Sequence, residues 1–264
     1  MDPALFGELP ASVEEVLVLE DGYPFVERWL RSVLRGHVAI RGKESGAVPA
    51  LGELSADVVR AALGIALRPQ HTVAFEVPAR PPQLCRNCPH ADSFAMIADV
   101  RKGVDSSIVT SDIGCYALGA LPPLSVIDSL VCMGASIGMA KGAAEAGRKN
   151  VVATIGDSTF LHSGIPSLLD AAEADTPMTV IILDNGTVAM TGGQPPSAAP
   201  GSLERIVRGL GVSEDHIVTL QPTRSAAVAN AEALRKEMEH DGLSVIIARR
   251  ACIKVRPKQS EKKK

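Results

Sequence analysis

The chain has 264 residues, of which 46% are hydrophobic and 22% charged. That is enough apolar material for one large globular domain, or a domain with an appendage, and it excludes a disordered or collagen-like chain. The 27 basic and 30 acidic residues give a net charge of −3, leaving no basic surplus to neutralise a run of phosphates, so nucleic acid is not an expected partner.

Aromatic residues make up only 3% of the chain, with Trp29 the one tryptophan, so a core of Ala, Val, Leu and Ile is expected. The opening MDPALFGELPASVEE is acidic and lacks the basic-then-apolar order of a signal peptide. The longest apolar run, around Leu130 to Ala140, is short and interrupted by glycine, which argues against a membrane span. A cytoplasmic protein is therefore expected, and its five cysteines read as free thiols or metal ligands rather than disulfides.

In chain order, Glu14 to Asp21 reads as a strand, Tyr23 to Leu34 as a helix and HVAIRGK as a second short strand. A Gly- and Pro-bearing passage, Gly42 to Leu54, leads to the helix SADVVRAALG, with Ser55 as its N-cap and Gly64 as its stop. The prolines of Pro78 to Gln83 cannot continue a helix or a central strand and mark a boundary. The expected organisation is an N-terminal α/β appendage over 1–70, a main domain over 71–257 and a disordered basic tail over 258–264. Within the main domain, Val151 to Asp157 and Met178 to Asn185 are apolar β-branched runs suited to strands buried on both faces of a parallel sheet. Ser163 to Ala174 is a helix between them. A helix over Ser225 to His240 and a strand over Leu243 to Ala251 close the chain. This alternation points to an α/β fold with a parallel sheet flanked by helices.

A right-handed crossover puts the carboxyl ends of the two buried runs on one sheet edge, where ligands of open α/β sheets bind. One end delivers Gly156, Asp157 and Ser158, the other Asp184, Asn185, Gly186 and Thr187. A carboxylate and an amide oxygen facing one volume suit Mg²⁺, which takes few protein ligands and leaves positions for phosphate and water. Gly156 and Gly186 would let the backbone approach a diphosphate. Either segment alone could equally be an ordinary turn.

The blocks LCRNCPH (84–90), SDIGCYALGALPP (111–123), CMGASIGMAKG (132–142), IGDSTFLHSGIPSL (155–168) and ILDNGTVAMTGGQP (182–195) carry a resemblance. In this order they resemble the thiamine-diphosphate-binding part of indolepyruvate:ferredoxin oxidoreductase alpha subunits, within the 2-oxoacid:acceptor oxidoreductases. The resemblance covers about Val13 to Cys252. It implies Mg²⁺ held by Asp157, Asn185 and the carbonyl of Thr187, with Gly156, Ser158, the Gly114-Cys115 turn and the Gly134-Ala135-Ser136 turn bordering the cofactor. It places Met190, Thr191 and Gly192 beside the thiazolium ring and His162 near cofactor or substrate, though His162 also reads as a polar residue in the first turn of a helix.

Cys85 and Cys88 form a CxxC, Cys115 follows the strand-like SSIVT, and Cys252 follows the last strand. Four thiolates satisfy a [4Fe–4S] cluster, and the resemblance implies one. A structural zinc site, or a CxxC that binds nothing, are the rival readings. Cys132 reads as a small buried residue. The resemblance further implies oxidative decarboxylation of a 2-oxoacid, indolepyruvate or another arylpyruvate, to an acyl-coenzyme A, with ferredoxin or another protein as electron acceptor. The region that would bind the aminopyrimidine, with its glutamate, is not recognisable here, so a second chain and a hetero-oligomer are expected. A non-oxidative thiamine-dependent decarboxylase subunit and a zinc-stabilised interaction subunit are the alternatives.

Overall fold

The structure, a computed structural model, describes residues 9–10, 12–34, 38–69, 73–104, 106–197 and 201–254. The expected boundary at His71 and the basic tail over 258–264 lie outside the described residues. The chain divides into two compact units, Met1–Ala79 and Arg80–Lys264.

In the first unit, β1 (Glu15–Leu17) pairs in parallel with β2 (Ala39–Arg41), and α1 (Phe25–Val33) connects them. Val18, Leu30 and Ile40 are its buried core. The expected strand over Glu14 to Asp21 is cut short because Glu20 is used elsewhere: its carboxylate accepts the Val26 and Glu27 amides at 2.7 and 2.9 Å, satisfying donors at the start of α1. α2 (Ala56–Ala62) begins as its sequence predicts, with the Ser55 hydroxyl accepting the Val58 amide at 3.3 Å.

The second unit opens with α3 (Pro89–Arg101), followed by β3 (Ile108–Ser111), β4 (Ser129–Leu130), α4 (Ala135–Glu145) and β5 (Val151–Gly156). A helical run then starts at the strand tip as α5 (Asp157–Thr159), passes through a π-helical turn at Phe160–Gly164 and continues as α6 (Ile165–Glu173). After β6 (Met178–Asp184) come α7 (Ser202–Gly209), β7 (Ile217–Leu220), α8 (Ala227–Met238) and β8 (Leu243–Arg249). The six strands form one parallel sheet in the order β4-β3-β5-β6-β8-β7.

Both faces of this sheet are buried, as the apolar runs predict. Ala153, Ile155, Val180, Ile182, Val245 and Ile247 pack against α4, α6 and α7. Their alternating neighbours Val152, Ile181, Leu183 and Ile246 pack against α3 and α8 through Phe94, Ile97 and Leu234. The strand hydroxyls have partners within this interior, for example Thr154 on Ser111 at 2.9 Å. Polar chemistry is thereby confined to the strand ends.

One ion-pair network ties the carboxyl edge together. Arg249 at the end of β8 donates to Asp184 on β6 at 2.6 Å and in bidentate fashion to Glu204 on α7 at 2.7 and 3.0 Å. The hydrogen bonds from Arg249 hold the Glu204 carboxyl down to about 2. A depressed carboxyl stabilises the fold above its ordinary pKa and loses that contribution as pH falls toward the depressed value. Glu204→Gln should cost about 1 kcal/mol at neutral pH, the solvent around Arg249 limiting the effect. Urea titrations of wild type and variant should converge as pH drops from about 4.5 toward 2. A gap independent of pH would show that the pair is not its source.

Candidate functional site

The register of β5 on β6 sets Gly156 opposite Leu183, so both strands end together at the same edge. The residues just beyond are buried although polar: Asp157 is 4%, Asn185 7% and Thr187 5% exposed. Asp157 accepts the Ser158 amide on one carboxylate oxygen at 2.6 Å and the Gly186 amide on the other at 2.8 Å, so it bridges the two strand tips. Gly186 takes φ +69°, which turns its amide back toward Asp157 at low cost only for glycine. Asn185 accepts the Thr187 amide on its side-chain oxygen at 3.0 Å.

Asp157 and Asn185 face one hollow of about 240 Å³, lined also by Gly114, Cys115, Gly156, Ser158, Thr187, Met190 and Thr191. Burial pushes the Asp157 carboxyl up to about 6 against the lowering effect of the two amides, and the charge of Asp184 adds to the rise. A carboxylate in this position lacks a counter-cation, and a divalent ion would satisfy it. Beside it the Ser158 hydroxyl is buried with no hydrogen-bond partner, although it lines the same hollow. An unmatched acceptor charge next to an unmatched hydroxyl suits a metal ion that carries an oxyanion.

The floor of the hollow is built around Tyr116. Its hydroxyl donates to the fully buried Asp112, with the Thr159 hydroxyl 3.2 Å away, and Asp112 also accepts from the Ser136 hydroxyl at 2.8 Å. Burial is the main reason that the Asp112 carboxyl titrates above its ordinary range. The ring of Tyr116 presses on the β5 tip so closely that a Cβ added to Gly156 would lie 2.6 Å from it.

The remaining candidates are placed differently. Gly134 caps α4 with φ +85°, and its neighbour Met133 lines the hollow, but Gly134, Ala135 and Ser136 are not among the lining residues. Ser136 is fully buried and turned to Asp112. Gly192, at φ +120°, lies in the turn closed by the bridge between Val188 and Gln194, beyond the lining stretch. His162 sits in the π-helical turn and does not line the hollow. Among the lining residues that the sequence did not single out for the site, His90 meets a candidate ligand through its side chain. His90, on the first turn of α3 and 3% exposed, has Nε2 3.0 Å from the side-chain nitrogen of Asn185. Burial, reinforced by the charge of Arg250, pulls its imidazole down to about 4, so the ring is neutral.

A second, smaller hollow of about 70 Å³ is lined by Cys85, Cys88, Cys115 and Cys252 together. The Cys88 amide donates to the Cys85 carbonyl at 3.1 Å, and the Cys252 amide donates to the Asn185 carbonyl at 3.0 Å. Burial and the neighbouring thiols Cys85 and Cys252 push the Cys88 thiol up. Among the described residues, no three His, Cys, Asp or Glu side chains stand close enough to grip a single metal ion. His90, Cys115, Asn185 and Ala189 line both hollows. Cys132, expected to be buried, is exposed, because it lies in the turn between β4 and α4 rather than under the sheet.

Residues 112–248 match the family described as "Thiamine pyrophosphate enzyme, C-terminal TPP binding domain". The chain belongs to this family. The chain is similar to the indolepyruvate oxidoreductase subunit IorA of Archaeoglobus fulgidus, 36% identical over 92% of this chain and 41% of that protein. The IorA subunit of Methanothermobacter marburgensis is likewise 36% identical, over 94% of this chain and 43% of its own length. The chain therefore spans about two fifths of these relatives. A 2-oxoglutarate:ferredoxin oxidoreductase chain from Magnetococcus marinus shares the fold, with a TM-score of 0.56 and 19% identity over 66% of each chain. Among the described residues no helix is long and apolar enough to cross a membrane.

The close approach of Tyr116 to the β5 tip yields a test. Gly156→Ala should destabilise the protein by about 1–3 kcal/mol through overpacking. Combining it with Tyr116→Leu should cost less than the sum of the two single changes in denaturant unfolding. Strict additivity would show that the ring is not what excludes a side chain at residue 156.

Proposed function

We propose that this chain holds thiamine diphosphate through Mg²⁺ and forms the cofactor-binding part of a 2-oxoacid:ferredoxin oxidoreductase. Its substrate is indolepyruvate or another arylpyruvate, its product an acyl-coenzyme A and its acceptor ferredoxin or a similar protein, in a cytoplasmic setting where thiols stay reduced. The observation that carries this reading is the pairing of Asp157 and Asn185, from successive strand tips, on one buried hollow that also holds the unpartnered Ser158 hydroxyl. Asp157, the side-chain oxygen of Asn185 and the Thr187 carbonyl would bind the ion, and the Ser158 hydroxyl would donate to the diphosphate. When bound, thiamine diphosphate supplies the carbanion chemistry by which a 2-oxoacid loses CO₂.

The chain's own residues position and enclose. Gly156 keeps the β5 tip free of a side chain where the diphosphate would approach. Met190 and Thr191 line the hollow and would border the reacting ring. Ile113, Met133 and Met190 line the same hollow yet are 43, 47 and 58% exposed. Apolar side chains left open around a binding hollow suit coverage by another chain, here one supplying the aminopyrimidine-binding domain and its glutamate.

Cys85, Cys88, Cys115 and Cys252 would hold a [4Fe–4S] cluster, which supplies one-electron transfer. Their convergence on a single hollow beside the cofactor site favours oxidative over non-oxidative decarboxylation, since the latter needs no such group. A zinc-stabilised scaffold is the rival reading, and metal analysis of the native complex, iron with sulfide against zinc, separates the two. In the anaerobically purified native complex, Asp157→Ala should abolish Mg²⁺-dependent thiamine diphosphate binding measured by calorimetry, and unchanged affinity would defeat the assignment. Cys115→Ala should strip iron and acid-labile sulfide while thiamine diphosphate still binds; a full complement of iron would refute its role as ligand.

A further inference from the structure

The carboxamide of Asn185 poses a problem that the rest of the site does not solve by itself. An asparagine offers an oxygen on one side and an NH₂ on the other, and rotation of the amide exchanges them. Only the oxygen can bind a cation. In the buried hollow, the orientation is set from two directions. The Thr187 amide is a backbone donor that cannot become an acceptor, and at 3.0 Å it anchors the oxygen. The NH₂ is thereby turned toward His90, whose Nε2 stands 3.0 Å from it. That nitrogen must then carry a lone pair, which in a neutral imidazole leaves the proton on Nδ1. With the amide reversed, two donors would oppose each other at Thr187, and His90 could meet the oxygen only by moving its proton to Nε2.

We propose that His90 is a positioning residue for the metal site: by accepting from the Asn185 NH₂, it locks the carboxamide with its oxygen toward the hollow where the ion would bind. The proposal deepens the Mg²⁺ and thiamine diphosphate reading and rests on it. His90 can play this part because α3 enters the interior at its N-terminus. Pro89 and His90 are both buried in the first turn, and the ring lies edge-on to Tyr116 with centroids 5.8 Å apart. Held by that contact and 3% exposed, it cannot swing away from Asn185. The Thr187 amide alone would hold the oxygen but leave the NH₂ buried without an acceptor. The balance between the two orientations therefore depends on His90.

The test uses the native complex and calorimetric Mg²⁺ titration at saturating thiamine diphosphate, a readout independent of turnover. His90→Met removes the acceptor at similar volume, and His90→Gln restores an amide oxygen near the position of Nε2. The methionine variant should raise the apparent Mg²⁺ dissociation constant by about 10–100-fold, the usual effect of losing a partner that orients a metal ligand. The glutamine variant should stay within about threefold of wild type. Equal weakening in both variants, or no weakening in the methionine variant, would overturn the proposal. Asp157→Ala in the same assay separates the two levels. If it leaves Mg²⁺-dependent binding intact, the metal-site reading itself fails; if it abolishes binding while His90→Met changes nothing, only the role of His90 fails. A measurement without loss of the ring covers misfolding of the methionine variant: ¹⁵N-histidine NMR of the wild-type complex should show His90, identified by its absence in His90→Gln, protonated on Nδ1 alone. A proton on Nε2 would contradict the proposal.

Discussion

The parallel pairing of β5 with β6, sealed on both faces by helices, is the constraint that generates the site. A strand buried on both faces has no room for charged side chains along its length, only for partnered hydroxyls such as that of Thr154, so charge is displaced to its ends. Because the two strands run parallel and in register, those ends coincide, and Asp157 and Asn185 emerge into one small volume. The bonds from Asp157 to the Ser158 and Gly186 amides fix the tips to each other before any ligand is considered. Beside those bonds lie a carboxyl whose pKa burial pushes up and, among the described residues, a buried hydroxyl with no side-chain or backbone partner.

The two hollows are best understood as one arrangement. They share His90, Cys115, Asn185 and Ala189, so the wall between them is a single layer of residues. Asn185 lines both: its side-chain oxygen accepts the Thr187 amide, its side-chain nitrogen meets His90, and its carbonyl receives the Cys252 amide. A shift in the β6 tip would thus be felt at the thiols as well as at the candidate metal ligands. Further along the same edge, Arg249 ties β8 to Asp184 on β6 and to Glu204 on α7.

The strands and the candidate ligands were legible in the sequence for a simple reason. VVATIG and MTVIILD are largely apolar, β-branched runs, and each gives way to a short polar segment containing glycine. The helix α3 was not legible because its buried residues, among them His90, Ser93, Phe94, Ile97 and Val100, are spread around its circumference rather than along one stripe. Without α3, nothing in the block LCRNCPH brings His90 to Asn185, which lies 95 residues further along the chain. The position of β8 between β6 and β7 is a non-local outcome that no local pattern encodes. The same holds for Ser136, whose place beside the cofactor is suggested by the motif around it. The structure turns its hydroxyl inward to Asp112, a residue whose burial nothing nearby announces.

The central claim is that one divalent ion, gripped by residues 157 and 185, carries a diphosphate into this hollow. Mn²⁺ substituted for Mg²⁺ in the native complex makes that claim directly visible. With thiamine diphosphate present, pulsed electron paramagnetic resonance should show one Mn²⁺ per chain with strong ³¹P hyperfine coupling from directly bound phosphate oxygens. Mn²⁺ that binds without phosphorus coupling, or fails to bind in stoichiometric amount, would contradict the account.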